Sequence, residues 1–279
     1  MKILLISANT AETPYPVYPL GMGIVAKALA RAGHSVEQFD FLHSGQSLEK
    51  LMEVLRRQSP ALVGISVRNI DNVNLLNEQH YIQTVRKIVQ VTRSVSKASI
   101  VLGGAGFSIM PEAILDAVGA DHGIVGEAES TVVDFAASIE RGERPARCIR
   151  APGFVTPADI SSAQYDSDIM RFYMQHGSMA GVQTKRGCVH RCVYCTYPLL
   201  EGRVVRPRPA GDVVDDIERL ASDHGVGYIF FTDSIFNDDE GVYLDLLREM
   251  KRRNLSVPWT CFIKPGDISE EHVLLMKET

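Results

Sequence analysis

Short apolar runs and longer amphipathic runs alternate along residues 1–142 of the chain. The apolar runs, which predict buried strands, are 2–7, 35–41, 61–67, 99–104 and 122–126. The runs between them carry apolar residues three and four positions apart, as amphipathic helices do. These predicted helices are 21–33, 47–58, 77–95, 111–119 and 130–142. The alternation predicts an α/β fold with a doubly wound parallel sheet, whose ligands bind beyond the carboxyl ends of the strands.

The pattern changes over residues 143–179, where Pro145, Pro152 and Pro157 are scattered among polar residues. We interpret this range as a linker with a short strand at 147–150. Strand and helix patterns resume in a second domain, 180–279. Its predicted strands are 180–186, 226–233 and 257–265, and its predicted helices are 210–225, 240–254 and 269–278.

Three β/α units are too few to close a barrel, so the second domain is predicted to be a partial (β/α) barrel that stops after its third unit. An open parallel sheet of this kind exposes a strand edge, which proteins normally cover. We therefore expect the chain to be a fragment of a longer protein, or its edge to be covered by the missing barrel half or by a partner chain.

Composition and charge narrow the class of protein. The 279 residues are 45% hydrophobic and carry a net charge of −5, with no basic stripe, so nucleic acid is not an expected partner. The first apolar run is too short for a signal peptide, and no stretch approaches the ~18 apolar residues of a transmembrane segment. A cytoplasmic protein is expected, and clustered cysteines there usually bind metal or do redox chemistry.

Three of the five cysteines lie within eight residues: Cys188, Cys192 and Cys195 form a C-x3-C-x2-C pattern. Three thiolates can hold three irons of a 4Fe–4S cluster and leave the fourth iron open. A structural zinc site would need a fourth ligand, for which His190 and Cys261 are the available donors. The open cluster is the preferred interpretation, and zinc or three unrelated cysteines are the alternatives.

The loop RGCVHRCVYC (186–195) resembles the C-x3-C-x-aromatic-C signature of the radical S-adenosylmethionine family, with Tyr194 at the aromatic position and Gly187 before the first cysteine. The loop also follows a predicted strand directly, as it does in that family. The resemblance implies that the open iron chelates the amino and carboxylate groups of S-adenosylmethionine, and that Tyr194 lies beside the adenine. It also implies a 5′-deoxyadenosyl radical that abstracts hydrogen from an unactivated position.

The second predicted strand of this domain ends in FFTDSIFND (230–238), where Asp233, Ser234 and Asn237 are candidates to bind the ammonium or ribose of S-adenosylmethionine. The family's commoner Gly-Gly-Glu segment is absent there, and the sequence in its place resembles the cobalamin-associated branch. Asp233 as a turn or helix-capping residue is the alternative. Lys264 is a weaker candidate.

Four segments of the first domain resemble the cobalamin-binding branch of that family. They are 13–29, 64–72, 101–115 and 120–129. Glycines there would let a flat ligand approach the backbone, and polar residues would reach its amides or phosphate. The candidate cobalamin-binding residues are Ser66, Arg68, Asn69, Gly103, Gly104, Gly106, Gly126 and Glu127.

Two sequence motifs that are absent from the first domain narrow the choice of its ligand. No G-x-G-x-x-G follows the first strand, which argues against a dinucleotide. Asp121 and His122 are adjacent and do not form D-x-H-x-x-G, so the resemblance implies cobalamin without a protein histidine below the cobalt. Another ligand and an empty domain are the alternatives.

The resemblance as a whole implies an enzyme with three cofactors: a 4Fe–4S cluster, S-adenosylmethionine and cobalamin. The implied reaction methylates an unactivated carbon or phosphorus centre of a small-molecule substrate, with electrons from an external donor of flavodoxin or ferredoxin type. A cobalamin-dependent radical cyclisation or rearrangement is the alternative within enzymes. A non-catalytic cobalamin sensor or carrier is the alternative from another class.

Overall fold

The structure, a computed structural model, describes residues 1–266 and 268–279. The chain forms two compact units. The first comprises Met1–Thr13, Pro19–Phe154 and Ala163–Asp166. The second comprises Pro14–Tyr18, Val155–Ser162 and Ser167–Thr279.

A six-stranded, fully parallel sheet forms the centre of the first unit. Its strands are β1 Lys2–Ser7, β2 Ser35–Asp40, β3 Leu62–Ser66, β4 Ser99–Gly103, β5 His122–Val125 and β6 Cys148–Arg150. Their order is β2-β1-β3-β4-β5-β6. All five predicted strands are present, and β6 occupies the position of the short strand predicted at 147–150.

Helices of the first unit pack in two groups. They are α1 Leu20–Arg31, α2 Leu48–Gln58, α3 Ile82–Val95, α4 Ala105–Ile109, α5 Pro111–Val118 and α6 Glu129–Glu140. Helix α1 packs against α6, whereas α3 packs against α2 and α5. The chain leaves β1 toward β2 and then returns past β1 to β3, so right-handed crossovers put α1 and α2 on opposite faces. The predicted doubly wound α/β fold is confirmed.

The second unit contains a three-stranded parallel sheet with the order β11-β10-β7 and a two-stranded antiparallel ribbon of β8 and β9. The strands are β7 Ala180–Val182, β8 Lys185–Arg186, β9 Arg206–Pro207, β10 Ile229–Phe231 and β11 Trp259–Cys261. The helices are α7 Ser167–His176, α8 Tyr197–Leu200, α9 Ala210–His224, α10 Val242–Arg252 and α11 Glu270–Lys277. Three β/α units are present, as predicted for a partial barrel.

Two parts of the chain differ from the predicted elements by more than shifted element ends. The strand expected at 180–186 is split, because the Thr184 N–H donates to the Asp233 carboxylate and the chain then pairs with β9. The range 143–179, predicted to be a linker, is shared between the units: β6 completes the first sheet and α7 belongs to the second unit. Across residues 1–266 and 268–279, no helix is both long enough and apolar enough to cross a membrane.

Candidate functional site

The base of the cysteine loop is fixed by Gly187. This residue has φ +92°, and a Cβ atom on it would lie 2.0 Å from the carbonyl oxygen of Val204, so only glycine fits. Its N–H donates to Glu201 Oε2 (3.2 Å), and its carbonyl oxygen accepts from Ser234 Oγ (3.2 Å). The loop therefore starts from a backbone that two other segments of the second unit hold in place.

The three cysteines differ in exposure along the loop. Cys188 is buried and its N–H donates to the Gly202 carbonyl (3.1 Å), whereas Cys195 is half-buried and Cys192 is exposed. A turn bond of 3.2 Å joins the Cys195 N–H to the Cys192 carbonyl. The charge of the Cys192 thiolate, together with a hydrogen bond to it, raises the pKa of Tyr194 above its ordinary value. Tyr194 and Cys192 are therefore close neighbours at the loop tip.

The number and the chemical type of the three thiols in the loop suit an iron–sulfur cluster. In the described part of the chain, no three Cys, His, Asp or Glu side chains converge closely enough to hold a metal ion. The three thiols nevertheless lie on one loop, 187–196, whose backbone belongs to no helix or strand. Thiolates are the usual ligands of iron–sulfur clusters, and three of them match a cluster with one open iron.

Cys261 is poorly suited to be a fourth ligand. Burial, reinforced by the negative charge of Asp233, raises the pKa of this thiol to about 12. Because the thiolate is the metal-binding form, the raised pKa makes Cys261 a weaker metal ligand than an ordinary thiol. His190, the other possible fourth ligand of a zinc site, lies within the cysteine loop itself.

A buried ion network lies beside the start of the loop. Lys185 and Asp233 have side chains only 2% and 1% exposed, and Lys185 Nζ lies 3.5 Å from Asp233 Oδ2 and 3.2 Å from Asp238 Oδ2. Lys185 Nζ also donates to the Phe236 carbonyl at 2.6 Å. The Thr184 N–H donates to Asp233 Oδ1 at 2.8 Å, and the Thr184 hydroxyl donates to Oδ2. The network fixes the chain just before Gly187 against the segment that follows β10.

The burial and the charges of this network change the pKa of the Asp233 carboxyl group. Two carboxylates share one buried ammonium, so attraction does not fully compensate for their removal from water. Burial raises the pKa of Asp233 above its ordinary value, although the Lys185 charge and the hydrogen bonds from Thr184 act in the opposite direction. Lys185 and Thr184 were not among the predicted site residues, since their partners are about fifty residues away along the chain.

The three residues predicted to bind S-adenosylmethionine all make contacts within the protein. Both Asp233 oxygens are engaged by Thr184, and Ser234 donates to the Gly187 carbonyl. Asn237 both donates to the Lys264 carbonyl and accepts from the Lys264 N–H, each at 2.8 Å. The structure therefore assigns them to holding the end of β10 in place, and their contact with a cofactor stays a prediction.

The candidate cobalamin-binding residues follow β3, β4 and β5, and hydrogen bonds tie these strand ends together. The Val67 N–H donates to the Gly103 carbonyl (2.8 Å), and the Gly106 N–H donates to the Val67 carbonyl (3.0 Å). Ser108 Oγ accepts from the Gly126 N–H at 3.1 Å. Because parallel strands end at one edge, the eight candidates share the carboxyl edge of the sheet. They are Ser66, Arg68, Asn69, Gly103, Gly104, Gly106, Gly126 and Glu127.

The four glycines have two different physical explanations. A Cβ on Gly104 would lie 2.7 Å from the Val67 oxygen, and one on Gly106 would lie 2.9 Å from the Arg68 oxygen, so packing between strand ends requires both. A Cβ on Gly103 would come no closer than 3.8 Å to Ile124, and one on Gly126 no closer than 3.5 Å to Ala151. At Gly103 and Gly126 the backbone is therefore not crowded by its neighbours, although Gly126 has φ +91°, a conformation that itself favours glycine.

Asp121 and His122 lie at the amino end of β5, opposite Gly126. The Asp121 carboxylate accepts from the Ile100 N–H (2.8 Å) and pairs with Arg93. His122 Nδ1 bonds to the Ala146 carbonyl at 3.0 Å. These contacts keep the imidazole at the edge of the sheet away from the candidate cobalamin-binding residues.

The two units match two known domain types in the same order. Residues 6–136 match the model of the B12 binding domain, and residues 182–279 match the model of the radical SAM superfamily. The chain therefore belongs to the cobalamin-binding radical S-adenosylmethionine family. The predicted family is confirmed.

Individual relatives are similar over most of this chain. A tryptophan 2-C-methyltransferase from Streptomyces laurentii is 26% identical over 90% of the chain and 52% of its own length. A cytidylyl-2-hydroxyethylphosphonate methyltransferase from Streptomyces wedmorensis is 23% identical over 92% of the chain and 59% of its own length. The chain thus spans little more than half the length of these relatives.

A solved structure matches the fold closely. It is the radical S-adenosylmethionine methyltransferase TsrM from Kitasatospora setae with tryptophan and an S-adenosylmethionine analogue bound. The TM-score is 0.86 at 25% identity, over 99% of this chain and 57% of that one. This similarity covers both units of the chain.

Proposed function

We propose that the chain forms the cofactor-binding part of a cobalamin-dependent radical S-adenosylmethionine methyltransferase. The observation that carries this proposal is the loop with Cys188, Cys192 and Cys195, anchored at Gly187. Three thiolate donors without a fourth suit a 4Fe–4S cluster with one open iron. The names of the two curated relatives and of TsrM support methyl transfer as the reaction.

In this proposal the residues around the loop orient S-adenosylmethionine. Tyr194 lies beside the adenine, and Asp233, Ser234 and Asn237 shape the floor of the site through the contacts they make within the protein. When bound, the cluster and S-adenosylmethionine supply a 5′-deoxyadenosyl radical, and cobalamin supplies a methyl group. The protein contributes orientation and the exclusion of water.

The first unit is proposed to hold cobalamin at the carboxyl edge of its sheet, next to Gly103 and Gly126. His122 lies at the opposite edge of the sheet and is therefore not proposed as a ligand of the cobalt. The target is proposed to be an unactivated carbon or phosphorus centre in a small molecule.

An external electron donor of flavodoxin or ferredoxin type and a cytoplasmic location also belong to this proposal. Val193 and Tyr194 are 102% and 86% exposed, so a donor protein can approach the loop tip. Exposed Arg191 lies between the first two cysteines and suits an acidic donor.

Anaerobic reconstitution with iron and sulfide, followed by dithionite and S-adenosylmethionine, tests the proposal. We expect a 4Fe–4S absorption spectrum and 5′-deoxyadenosine above the level of a Cys188→Ala/Cys192→Ala/Cys195→Ala control. S-adenosylhomocysteine formed in the presence of cobalamin would identify methyl transfer, whereas 5′-deoxyadenosine alone would favour cyclisation or rearrangement. Cobalamin binding without any S-adenosylmethionine cleavage would instead identify a sensor or carrier.

A further inference from the structure

Asn9 lies at the carboxyl ends of the neighbouring strands β1 and β3, where a sheet of this topology usually binds its ligand. The chain reverses its winding direction between the neighbouring strands β1 and β3, and ligands of doubly wound sheets bind at the carboxyl side of such a reversal. Asn9 follows β1 by two residues. The preceding Ala8 donates its N–H to the Ser66 carbonyl (3.2 Å) at the end of β3. Asn9 is therefore at the same strand ends as the predicted residue Ser66.

The Asn9 side chain is buried with its donor unused. Asn9 is 6% exposed, and its Oδ1 accepts from the Ala11 N–H at 3.4 Å. Its Nδ2 is buried and meets no acceptor within the described ranges 1–266 and 268–279. A buried amide N–H without an acceptor is costly and uncommon in native interiors.

Exchanging the two side-chain atoms of Asn9 would not remove the problem. With nitrogen and oxygen swapped, the amide N–H groups would face the Ala11 N–H, and two donors cannot bond to one another. The orientation with Oδ1 toward Ala11 is therefore the better one, and Nδ2 is the atom that needs an acceptor.

We propose that Asn9 is a cobalamin-binding residue whose Nδ2 donates a hydrogen bond to an oxygen on the periphery of the cofactor. This inference rests on the proposed function, because it takes cobalamin as the ligand of the first unit. The acceptor oxygens that this cofactor carries are those of its amide carbonyls and those of its nucleotide, on the phosphate and the ribose. Any of these oxygens would accept the hydrogen bond from Asn9 Nδ2. The cofactor would then pair a donor that has no acceptor among the described residues of the free protein.

The test measures binding of hydroxocobalamin to the full chain by equilibrium dialysis, read by corrin absorbance. Asn9→Asp keeps the shape and the acceptor for Ala11 but removes the donor, and we expect about tenfold weaker binding, the usual effect of one lost hydrogen bond. Gln38→Glu is the matched control: it makes the same chemical change on β2, where Gln38 Nε2 donates to the Gln164 carbonyl at 3.1 Å. The control is expected to bind as the wild type does.

A second variant covers the case in which Asn9→Asp does not fold. Asn9→Leu removes the unpaired donor and also the acceptor of the long bond from the Ala11 N–H, so the two effects on apo stability oppose each other. We expect an apo melting temperature close to that of the wild type and yet weaker cobalamin binding. A residue with a purely structural role would not lose cobalamin affinity at unchanged stability. Cobinamide, which keeps the corrin amides and lacks the nucleotide, distinguishes the acceptors. Weakened binding of both corrinoids indicates an amide, and weakened binding of cobalamin alone indicates an oxygen of the nucleotide.

Wild-type affinity within twofold in both Asn9 variants would overturn the inference and leave the proposed function intact. Failure of the wild type itself to bind hydroxocobalamin would overturn both, so the two failures are distinguishable.

Discussion

At the scale of single residues, Lys185 provides the only positive charge that the described contacts show reaching both Asp233 and Asp238. Removing it would leave two buried carboxylates without a cation, and unpaired buried charge is strongly destabilising. We expect Lys185→Met to lower the free energy of unfolding by about 3–5 kcal/mol in urea titrations. Lys251→Met, which breaks an exposed pair with Glu278, is the control and should change little. Equal losses in the two variants would contradict this account of the network.

Asp233 makes stability depend on pH in a defined direction. Burial raises its pKa in the folded chain above the ordinary value of 3.8, so the folded chain retains this proton at pH values where the unfolded chain has released it. Its contribution to stability therefore falls as the pH rises from about 3.8 to the folded-state pKa. Asp233→Asn lacks this titration. We expect urea titrations to show the stability of the wild type, relative to Asp233→Asn, decreasing over that pH range; a constant difference would refute the assignment.

Which residues the sequence could reveal depends on how local their contacts are. The cysteines and Tyr194 stand in a short motif with fixed spacing, so they were recognisable directly. Lys185 could not be recognised, because its importance arises from carboxylates about fifty residues further along the chain. Asn9 is not recognisable from the sequence for a related reason. Its Nδ2 lacks an acceptor among the described residues because of how the folded chain packs around it, and no local sequence pattern indicates this.

At the scale of elements, the start of the cysteine loop depends on one backbone conformation. Gly187→Ala would place a Cβ 2.0 Å from the Val204 oxygen at φ +92°, so the loop base must shift. We expect a loss of stability of at least about 1–3 kcal/mol and reduced iron per chain after anaerobic reconstitution. Gly227→Ala is the control, since a Cβ there meets no atom within 4 Å. Unchanged iron content in Gly187→Ala would show that the loop base does not prepare the cluster site.

Strands and helices followed the hydrophobic pattern wherever a single face or a fully buried run decided the structure, as in β1 and α2. The pattern failed where a distant group intervened. The predicted strand 180–186 is interrupted because Asp233 takes the Thr184 N–H. Helix α4 is not predicted, because its sequence follows paired glycines that normally indicate a turn. The short β6, by contrast, lies where the strand 147–150 is predicted, and it pairs with β5.

At the scale of the whole molecule, the residues proposed for the two metal cofactors belong to different units of the chain. We therefore expect the triple Cys188→Ala/Cys192→Ala/Cys195→Ala variant to lose its iron and to keep the cobalamin affinity of the wild type. Iron analysis and equilibrium dialysis on the same preparation measure both. Loss of cobalamin binding in this variant would mean that corrin binding depends on the cysteine loop.

The order of the two units was predictable because each carries its own periodicity and its own motif. The boundaries between them were not predictable, since residues 14–18 and 155–162 join the second unit while 163–166 join the first. Packing between segments that are distant in sequence determines which unit these residues join, so the local composition does not predict it.

Mössbauer spectroscopy of the anaerobically reconstituted chain, with and without S-adenosylmethionine, tests the central claim most directly. We expect a 4Fe–4S cluster in which one iron site changes its spectrum when S-adenosylmethionine is added. A preparation without such a cluster, or a cluster whose four irons are all unaffected by S-adenosylmethionine, would contradict the claim that Cys188, Cys192 and Cys195 leave one iron open.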